Sequence, residues 1–194
     1  MPRAGMEPRR RAALVRAAVS EIAAEGAGAV TVAGIARRAG MSPALAHHYF
    51  GSKDDMLAAA MRHVLAEFAS EARRRLGAAG TPRARLQAIL EASFAPSNFR
   101  PETVAAWLAF YGRARHDAGT RRLLDLYHAR LRSNLLHALR PLTAAPEPLA
   151  EGIGAMIDGL YLRQALRPGA ADPEAAMALV ADYADRALAA ERAA

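Results

Sequence analysis

The 194-residue sequence contains no cysteine. That absence excludes disulfide bonds, thiolate metal ligands and cysteine nucleophiles, and it fits a reducing, cytoplasmic environment. No run of 18 uncharged apolar residues occurs, so we expect no membrane-spanning helix and no membrane partner. The basic N-terminal segment has neither an apolar core nor a small-residue cleavage site, so we expect no secretory signal. We therefore expect a cytoplasmic protein.

Signatures of catalysis are missing as well. The six histidines form no HExxH pattern, and no phosphate-binding glycine loop or nucleophile elbow occurs. A Ser/His/Asp combination dispersed along a chain is too common to indicate a hydrolase. We therefore expect no enzymatic activity, no metal site and no cofactor.

Sustained strand alternation is absent, whereas helical periodicity and short Gly/Pro breaks continue throughout. The sequence therefore predicts an all-α fold of about nine helices. A helix pair is expected between residues 31 and 50. The other helices are expected over about 8–25, 52–77, 81–94, 101–115, 119–139, 148–166 and 172–190.

Charge and aromatic residues are distributed unevenly. The formal net charge is +7, and residues 1–63 contribute +4 of it, with nine basic and five acidic side chains. Lys53 is the single lysine, and only Tyr49 and Phe50 of the eleven aromatic residues precede residue 64. A basic surface favours a polyanionic partner through counterion release. The pattern indicates a basic head and a separate, aromatic-richer body.

The segment TVAGIARRAGMSPALAHHYFGSK, from Thr31 to Lys53, carries the strongest functional signal. Thr31 and Ser42 are in N-cap positions, Pro43 is suited to the first turn of a helix, and Gly40 is suited to the left-handed end of the preceding one. Only two residues separate the helices. This spacing is typical of a helix-turn-helix, whose second helix enters the major groove of DNA.

Residues 8–63, with this segment and GSK opening a long helix, resemble the N-terminal domain of TetR-type repressors. IARRAGMS, HHYF, AWLAFY (Ala106–Tyr111) and IDGLYLRQAL (Ile157–Leu166) resemble the choline-responsive, BetI-type branch of that family. The sequence departs from most TetR-type proteins at His47 and Tyr49, where those proteins carry Tyr and His. The phosphate contact usual at position 47 is therefore expected from Tyr49.

The resemblance implies a DNA-binding domain over residues 1–52 and a ligand-binding and dimerisation domain over residues 53–194. The helix N-termini at Thr31 and Lys53 suit phosphate contact, and Arg3, Arg9, Arg10 and Arg11 resemble a basic arm. The expected DNA-binding residues are Thr31, Arg37, Arg38, Ser42, Pro43, Ala44, Leu45, His47, His48, Tyr49 and Lys53.

A quaternary ammonium ligand is held by aromatic faces and by carboxylate charge. Trp107, Phe110 and Tyr111 share one helix face, and Phe94, Tyr127 and Tyr161 are further candidate walls, although aromatic residues at this spacing also suit a core. Asp125, Glu91 and Asp158 are candidate counter-charges, although Asp158 equally suits a satisfied polar contact between helices. The resemblance implies a homodimer on palindromic operator DNA. Its expected interface residues are Ile153, Met156, Ile157, Leu160, Val180 and Leu188.

The resemblance therefore implies a repressor of choline-to-glycine betaine genes that choline or betaine aldehyde releases from its operator. Two alternatives stay open. One is a TetR-type repressor that responds to another small molecule, such as a drug or metabolite. The other is a DNA-binding protein without an effector.

Overall fold

The computed structural model describes residues 6–193 and, within that range, the side chains up to residue 190. These residues form nine α-helices and one short 3-10 helix, Pro96–Phe99, and contain no strand. The predicted all-α fold is confirmed. The helices are α1 (Met6–Ala29), α2 (Val32–Arg38), α3 (Pro43–Phe50), α4 (Lys53–Ala78), α5 (Pro82–Ser93), α6 (Pro101–Ala114), α7 (Ala118–Leu139), α8 (Pro146–Leu166) and α9 (Pro173–Ala193). None of the described helices is both long enough and apolar enough to cross a membrane.

Two predicted boundaries differ from the structure. Helix α1 continues past the expected end near Glu25 to Ala29, with a kink at Gly26, where φ is 76°. Glycine adopts this positive φ without the steric cost of a Cβ. The expected loop over residues 95–100 contains the 3-10 helix, whose first bond runs from the Asn98 amide to the Ala95 carbonyl at 2.9 Å.

The described residues fall into two compact units. The first lies within Met1–Ala66 and Arg100–Leu124, and the second within Glu67–Phe99 and Asp125–Ala194. The boundaries fall inside α4 and α7, so each of these helices belongs partly to both units.

In the first unit, α1 packs against α2 and α6, and α2 packs against α3. The buried apolar face of α1 consists of Leu14, Ala17, Ala18 and Ile22. These side chains meet buried residues of α2, α3 and α4 in one core. Its other members are Val30, Ile35, Ala36, Ala46, Phe50, Met56, Leu57, Ala59 and Ala60.

A carboxylate lies within the buried face of α1. Glu21 is 3% exposed and accepts a hydrogen bond of 2.7 Å from Nε of Arg38, the last residue of α2. Gly34 of α2 provides the necessary space, since a Cβ at that position would collide with the Glu21 carboxylate. The pair therefore joins α1 to the end of α2, and it requires a glycine on the facing helix.

In the second unit, α9 packs against α8 and α5. Of the residues predicted for a dimer interface, Ile153, Ile157, Val180 and Leu188 are at most 2% exposed in the single chain, whereas Met156 and Leu160 are half-buried. Apolar surface on α8 and α9 is instead exposed at Leu166, Leu179 and Tyr183. The four buried side chains therefore support the fold of one chain.

The close approach of Glu21 to Gly34 predicts that the effect of Gly34→Ala on the free energy of unfolding changes sign when Glu21 is removed. Gly34→Ala should lower the free energy of unfolding by about 1–3 kcal/mol, because its Cβ displaces a buried, hydrogen-bonded carboxylate. In a Glu21→Ala background, the same substitution should raise that free energy by about 0.5–1 kcal/mol, because alanine favours the helix over glycine. Urea denaturation followed by circular dichroism measures both effects. The same sign in both backgrounds would contradict this packing.

Candidate DNA interface and ligand-binding residues

Local hydrogen bonds define both ends of α2 and the turn that follows it. The Thr31 hydroxyl accepts from the Gly34 amide at 3.0 Å, as predicted for a cap. Gly40 has φ 66° and donates to the Arg37 carbonyl at 3.1 Å, and the Met41 amide donates to the Ala36 carbonyl at 2.9 Å. These two hydrogen bonds form a Schellman motif, which ends α2 and fixes the direction in which the chain enters α3.

Helix α3 begins as the sequence predicts. The Ser42 hydroxyl accepts from the Leu45 amide at 3.2 Å, and Pro43 opens the first turn. Residues Ala46 and Phe50 anchor the helix in the core. The opposite face is open. Ser42, Pro43, Ala44, His47 and His48 are exposed, and Leu45 and Tyr49 are half-buried.

Two side chains, Arg11 and His47, hold the C-terminal end of α3. Arg11 of α1 donates from Nη1 to the Tyr49 carbonyl at 2.8 Å, and its guanidinium lies 4.4 Å from the centre of the Phe50 ring. A cation at a helix C-terminus is favoured by the helix dipole. Nδ1 of His47 and the Gly51 carbonyl are 2.8 Å apart. The long-range contact of Arg11 was not predicted. Of the proposed basic arm, Arg9 and Arg10 are exposed on α1, and Arg3 lies outside the described residues.

Helix α4 starts with a reciprocal cap. The Asp55 amide donates to the Ser52 hydroxyl at 3.1 Å, and the Ser52 amide donates to the Asp55 carboxylate at 3.2 Å. Lys53 follows, and its Nζ donates to the carbonyl of Gly28 at the end of α1 at 3.3 Å. This is a long hydrogen bond to a neutral carbonyl, so the lysine is placed beside the start of α4 and is only weakly held there.

The exposed face of α3 carries few groups suited to reading DNA bases. Its first turn offers small or apolar side chains, which permit close approach and contact with thymine methyl groups. None of them forms the bidentate contact by which arginine reads guanine. Arg37 is exposed on the preceding helix, whereas Arg38 is bound to Glu21 through Nε. The surface is thus better equipped for phosphate contact and shape recognition than for direct base reading.

The candidate ligand-binding aromatics divide between the two units. Trp107, Phe110 and Tyr111 belong to the first. The Trp107 ring centre lies 5.7 Å from that of Phe110 and 5.7 Å from that of Tyr111, so the predicted common face is confirmed. Trp107 and Phe110 are buried, at 4% and 1% exposure.

Phe94, Tyr127 and Tyr161 belong to the second unit, and all three are buried. The Tyr161 hydroxyl donates to the Asn98 carbonyl at 3.0 Å, and burial raises its pKa. The Tyr161 ring packs against Phe99, with ring centres 5.2 Å apart. Tyr161 is therefore neutral and fixed.

A carboxylate adjoins the aromatic side chains of the second unit. Asp158 of α8 accepts from the Tyr127 hydroxyl at 3.1 Å and lies 3.1 Å from Nε2 of His128. The Phe68 ring is inclined at 68° to the Tyr127 ring, with centres 5.6 Å apart. Aromatic rings and an anion are the groups that attract a quaternary ammonium. The sequence predicted Tyr127 and Asp158 but not Phe68.

An open groove of about 910 Å³ also lies in the second unit. Its lining includes Phe94, Phe99 and Met177 together with five charged side chains. The charged residues are Arg75, Glu91, Arg167, Asp172 and Glu174. Arg75 is already paired with Glu91 at 2.6 Å and with Glu71 at 2.5 Å. No cluster of three metal-binding side chains occurs within the described part of the chain.

Two family models match this sequence. Residues 14–60 match the bacterial regulatory proteins of the TetR family, and residues 82–189 match the C-terminal domain of BetI-type transcriptional repressors. The chain belongs to the BetI-type branch of the TetR family. The second match covers more than half of the sequence and contains both Asp158 and Tyr161.

Individual relatives agree with this assignment. The HTH-type transcriptional regulator BetI of Rhizobium meliloti (strain 1021) is 52% identical over 190 residues, which cover 97% of this chain and 94% of the relative. A transcriptional regulator from Pseudomonas aeruginosa PAO1 superposes with a TM-score of 0.84 at 29% identity, covering 96% and 93% of the two chains. A regulator from Saccharomonospora viridis, solved in complex with choline, superposes with a TM-score of 0.82 at 21% identity, covering 92% and 96%.

This BetI-type protein is accordingly a DNA-binding transcriptional repressor. Its relatives are named as regulators, and the family is non-enzymatic, in agreement with the expectation from the sequence. TetR-family regulators bind operator DNA and act as dimers. The α2–α3 pair lies within residues 14–60, the part of the chain that the TetR model matches.

The contacts of Arg11 predict a specific loss of stability. Arg11→Ala should lower the free energy of unfolding by about 1–2 kcal/mol, because it removes a charge-assisted bond and a cation–π contact. Arg10→Ala removes the same charge from an exposed neighbour and should change that free energy by less than about 0.5 kcal/mol. Urea denaturation of the two variants compares them. Equal losses would show that Arg11 does not hold α3.

Proposed function

We propose that this repressor controls genes for the conversion of choline to glycine betaine and that choline or betaine aldehyde releases it from its operator. The 52% identity to a BetI regulator over nearly the whole chain carries the proposal. The choline complex of the Saccharomonospora viridis regulator, which shares the fold, supports the ligand class. The carboxylate of Asp158, which accepts a hydrogen bond from Tyr127, and the contact of the Tyr127 ring with Phe68 support it chemically.

We assign DNA binding to residues 1–52 and ligand binding with dimerisation to residues 53–194. The exposed face of α3 supports its insertion into the major groove. Thr31 and Lys53 start helices, where backbone amides and the helix dipole favour phosphate. The palindromic operator expected for such a protein matches a two-fold dimer, whose two α3 helices contact half-sites about 34–36 Å apart or a multiple of that distance.

The ligand site is proposed among the aromatic side chains. Choline carries a quaternary ammonium without N–H groups, so ring faces and carboxylates, and not hydrogen-bond acceptors alone, must bind it. The candidates of the first unit are Trp107, Phe110 and Tyr111, and those of the second are Phe94, Tyr127 and Tyr161. Asp158 is the proposed counter-charge because its oxygens are held 3.1 Å from both Tyr127 and His128.

Release is proposed to be allosteric. The connector between α3 and α4 is only Gly51 and Ser52, and the cap of α4 fixes it. A displacement of α4 on ligand binding therefore moves α3 with little slack. A coupling free energy of about 1–3 kcal/mol would change operator affinity roughly 5- to 150-fold.

A different effector is the second candidate. The groove of about 910 Å³ in the second unit is larger than choline requires, and it presents both arginine and carboxylate side chains. These features favour a larger ligand with charges of both signs. A screen in which such a compound releases operator DNA while choline does not would favour this candidate.

Lys53 provides a test of the DNA interface. Lys53→Ala should weaken binding uniformly across operator variants and lower the slope of log affinity against log salt by about 0.9, the value for one phosphate contact. Arg62→Ala removes the same charge from an exposed position further along α4 and should leave that slope unchanged. Fluorescence anisotropy over a salt series measures both. A sequence-selective loss in Lys53→Ala would contradict a phosphate role.

Trp107 is the single tryptophan and tests the ligand class. Choline and betaine aldehyde should change its fluorescence saturably and lower operator affinity at fixed salt. The neutral isostere 3,3-dimethylbutan-1-ol should do neither, because it lacks the cation that aromatic rings attract. Asp158→Asn should weaken the choline response while operator binding without ligand persists. If choline leaves operator binding unchanged, the proposed effector is wrong.

A further inference from the structure

A buried carboxylate in the DNA-binding head has no role in the function described so far. Glu21 is on the inner face of α1, its side chain is 4% exposed, and its Oε2 lies 2.7 Å from Nε of Arg38. The Arg38 side chain is 40% exposed. The contact thus has one end in the core and the other at the surface, at the last residue before the turn into α3.

The arrangement is costly in two ways. A carboxylate removed from water loses hydration that a single ion pair does not fully restore, and apolar residues often replace such pairs without loss of stability. The pair also requires glycine at position 34, since a Cβ there would collide with the carboxylate, and glycine within a helix is entropically unfavourable. Stability alone does not explain a buried glutamate that requires both an ion-pair partner and a glycine on the facing helix.

We infer that Glu21 is a positioning residue for operator binding: it holds Arg38 by Nε so that the terminal nitrogens of the guanidinium face a DNA phosphate. Within the described residues, the contact to Glu21 is the one that holds this guanidinium, and it engages Nε alone. The two terminal nitrogens keep their donors for an oxyanion. A guanidinium fixed in this way loses less rotamer entropy when it binds phosphate than a free side chain does.

The inference reverses the simple electrostatic expectation. Removing an acidic side chain from a DNA-binding surface normally tightens binding to a polyanion. If Glu21 positions Arg38, its neutralisation must weaken binding instead, because the phosphate contact is lost or becomes entropically costly. The sign of the effect therefore distinguishes positioning from general charge.

The experiment compares Glu21→Gln with Glu25→Gln in the full-length repressor. Glu25 is one turn further along α1 and exposed, so its substitution removes the same charge without touching Arg38. Operator affinity is measured by anisotropy over a salt series. We expect Glu21→Gln to bind about tenfold more weakly, with a salt slope lower by about 0.9, the value of one phosphate. Glu25→Gln should bind equally well or slightly more tightly.

A double-mutant cycle separates positioning from folding. In an Arg38→Gln background, Glu21→Gln should cause no further loss of affinity, because the arginine that it positions is gone. Circular dichroism of each variant checks that the head is folded. Weaker binding with an unchanged salt slope would indicate a purely structural role and overturn the inference, as would tighter binding of Glu21→Gln. Because the wild type and Glu25→Gln must bind the operator in the same assay, failure of operator binding as such is detected separately.

Discussion

The contact between α1 and the two helices that follow it determines where the proposed DNA-reading surface lies. Glu21 contacts Arg38 at the end of α2, and Arg11 contacts the Tyr49 carbonyl and the Phe50 ring at the end of α3. These two side chains are almost three turns apart on one helix. Helix α1 therefore fixes the chain both before and after the turn, which a hydrophobic core alone does less precisely because apolar contacts are not directional.

This constraint explains how a recognition helix with few polar side chains can be used. The first turn of α3 presents Ser42, Pro43 and Ala44, which have little capacity for base-specific hydrogen bonds. Its contribution depends on close approach, and close approach requires accurate placement. The phosphate contacts proposed for Lys53 and Arg38 are at helix ends that α1 contacts. The same helix therefore positions both proposed contacts to the DNA phosphates, which set the register of the protein on DNA.

Local signals in the sequence were sufficient to predict the helix-turn-helix. Thr31, Ser42 and Gly40 each bond a partner three residues away, so their spacing alone indicates caps and a turn. Arg11 and Glu21 act over 38 and 17 residues, and no local pattern distinguishes them from solvated charges. Gly34 within the apolar periodicity of α2 was the one available signal, since glycine inside a helix indicates that something approaches closely.

The body of the protein was harder to predict because one pattern serves two purposes. An apolar stripe on α8 and α9 is needed both for packing within the chain and for contact with a second chain. Ile153 and Val180 are fully buried in a single chain, while Leu179 and Tyr183, on the same helices, expose apolar surface. Aromatic residues are ambiguous in the same way. Trp107 is buried, which suits both a binding site and a core. A change in its fluorescence on ligand binding distinguishes the two roles.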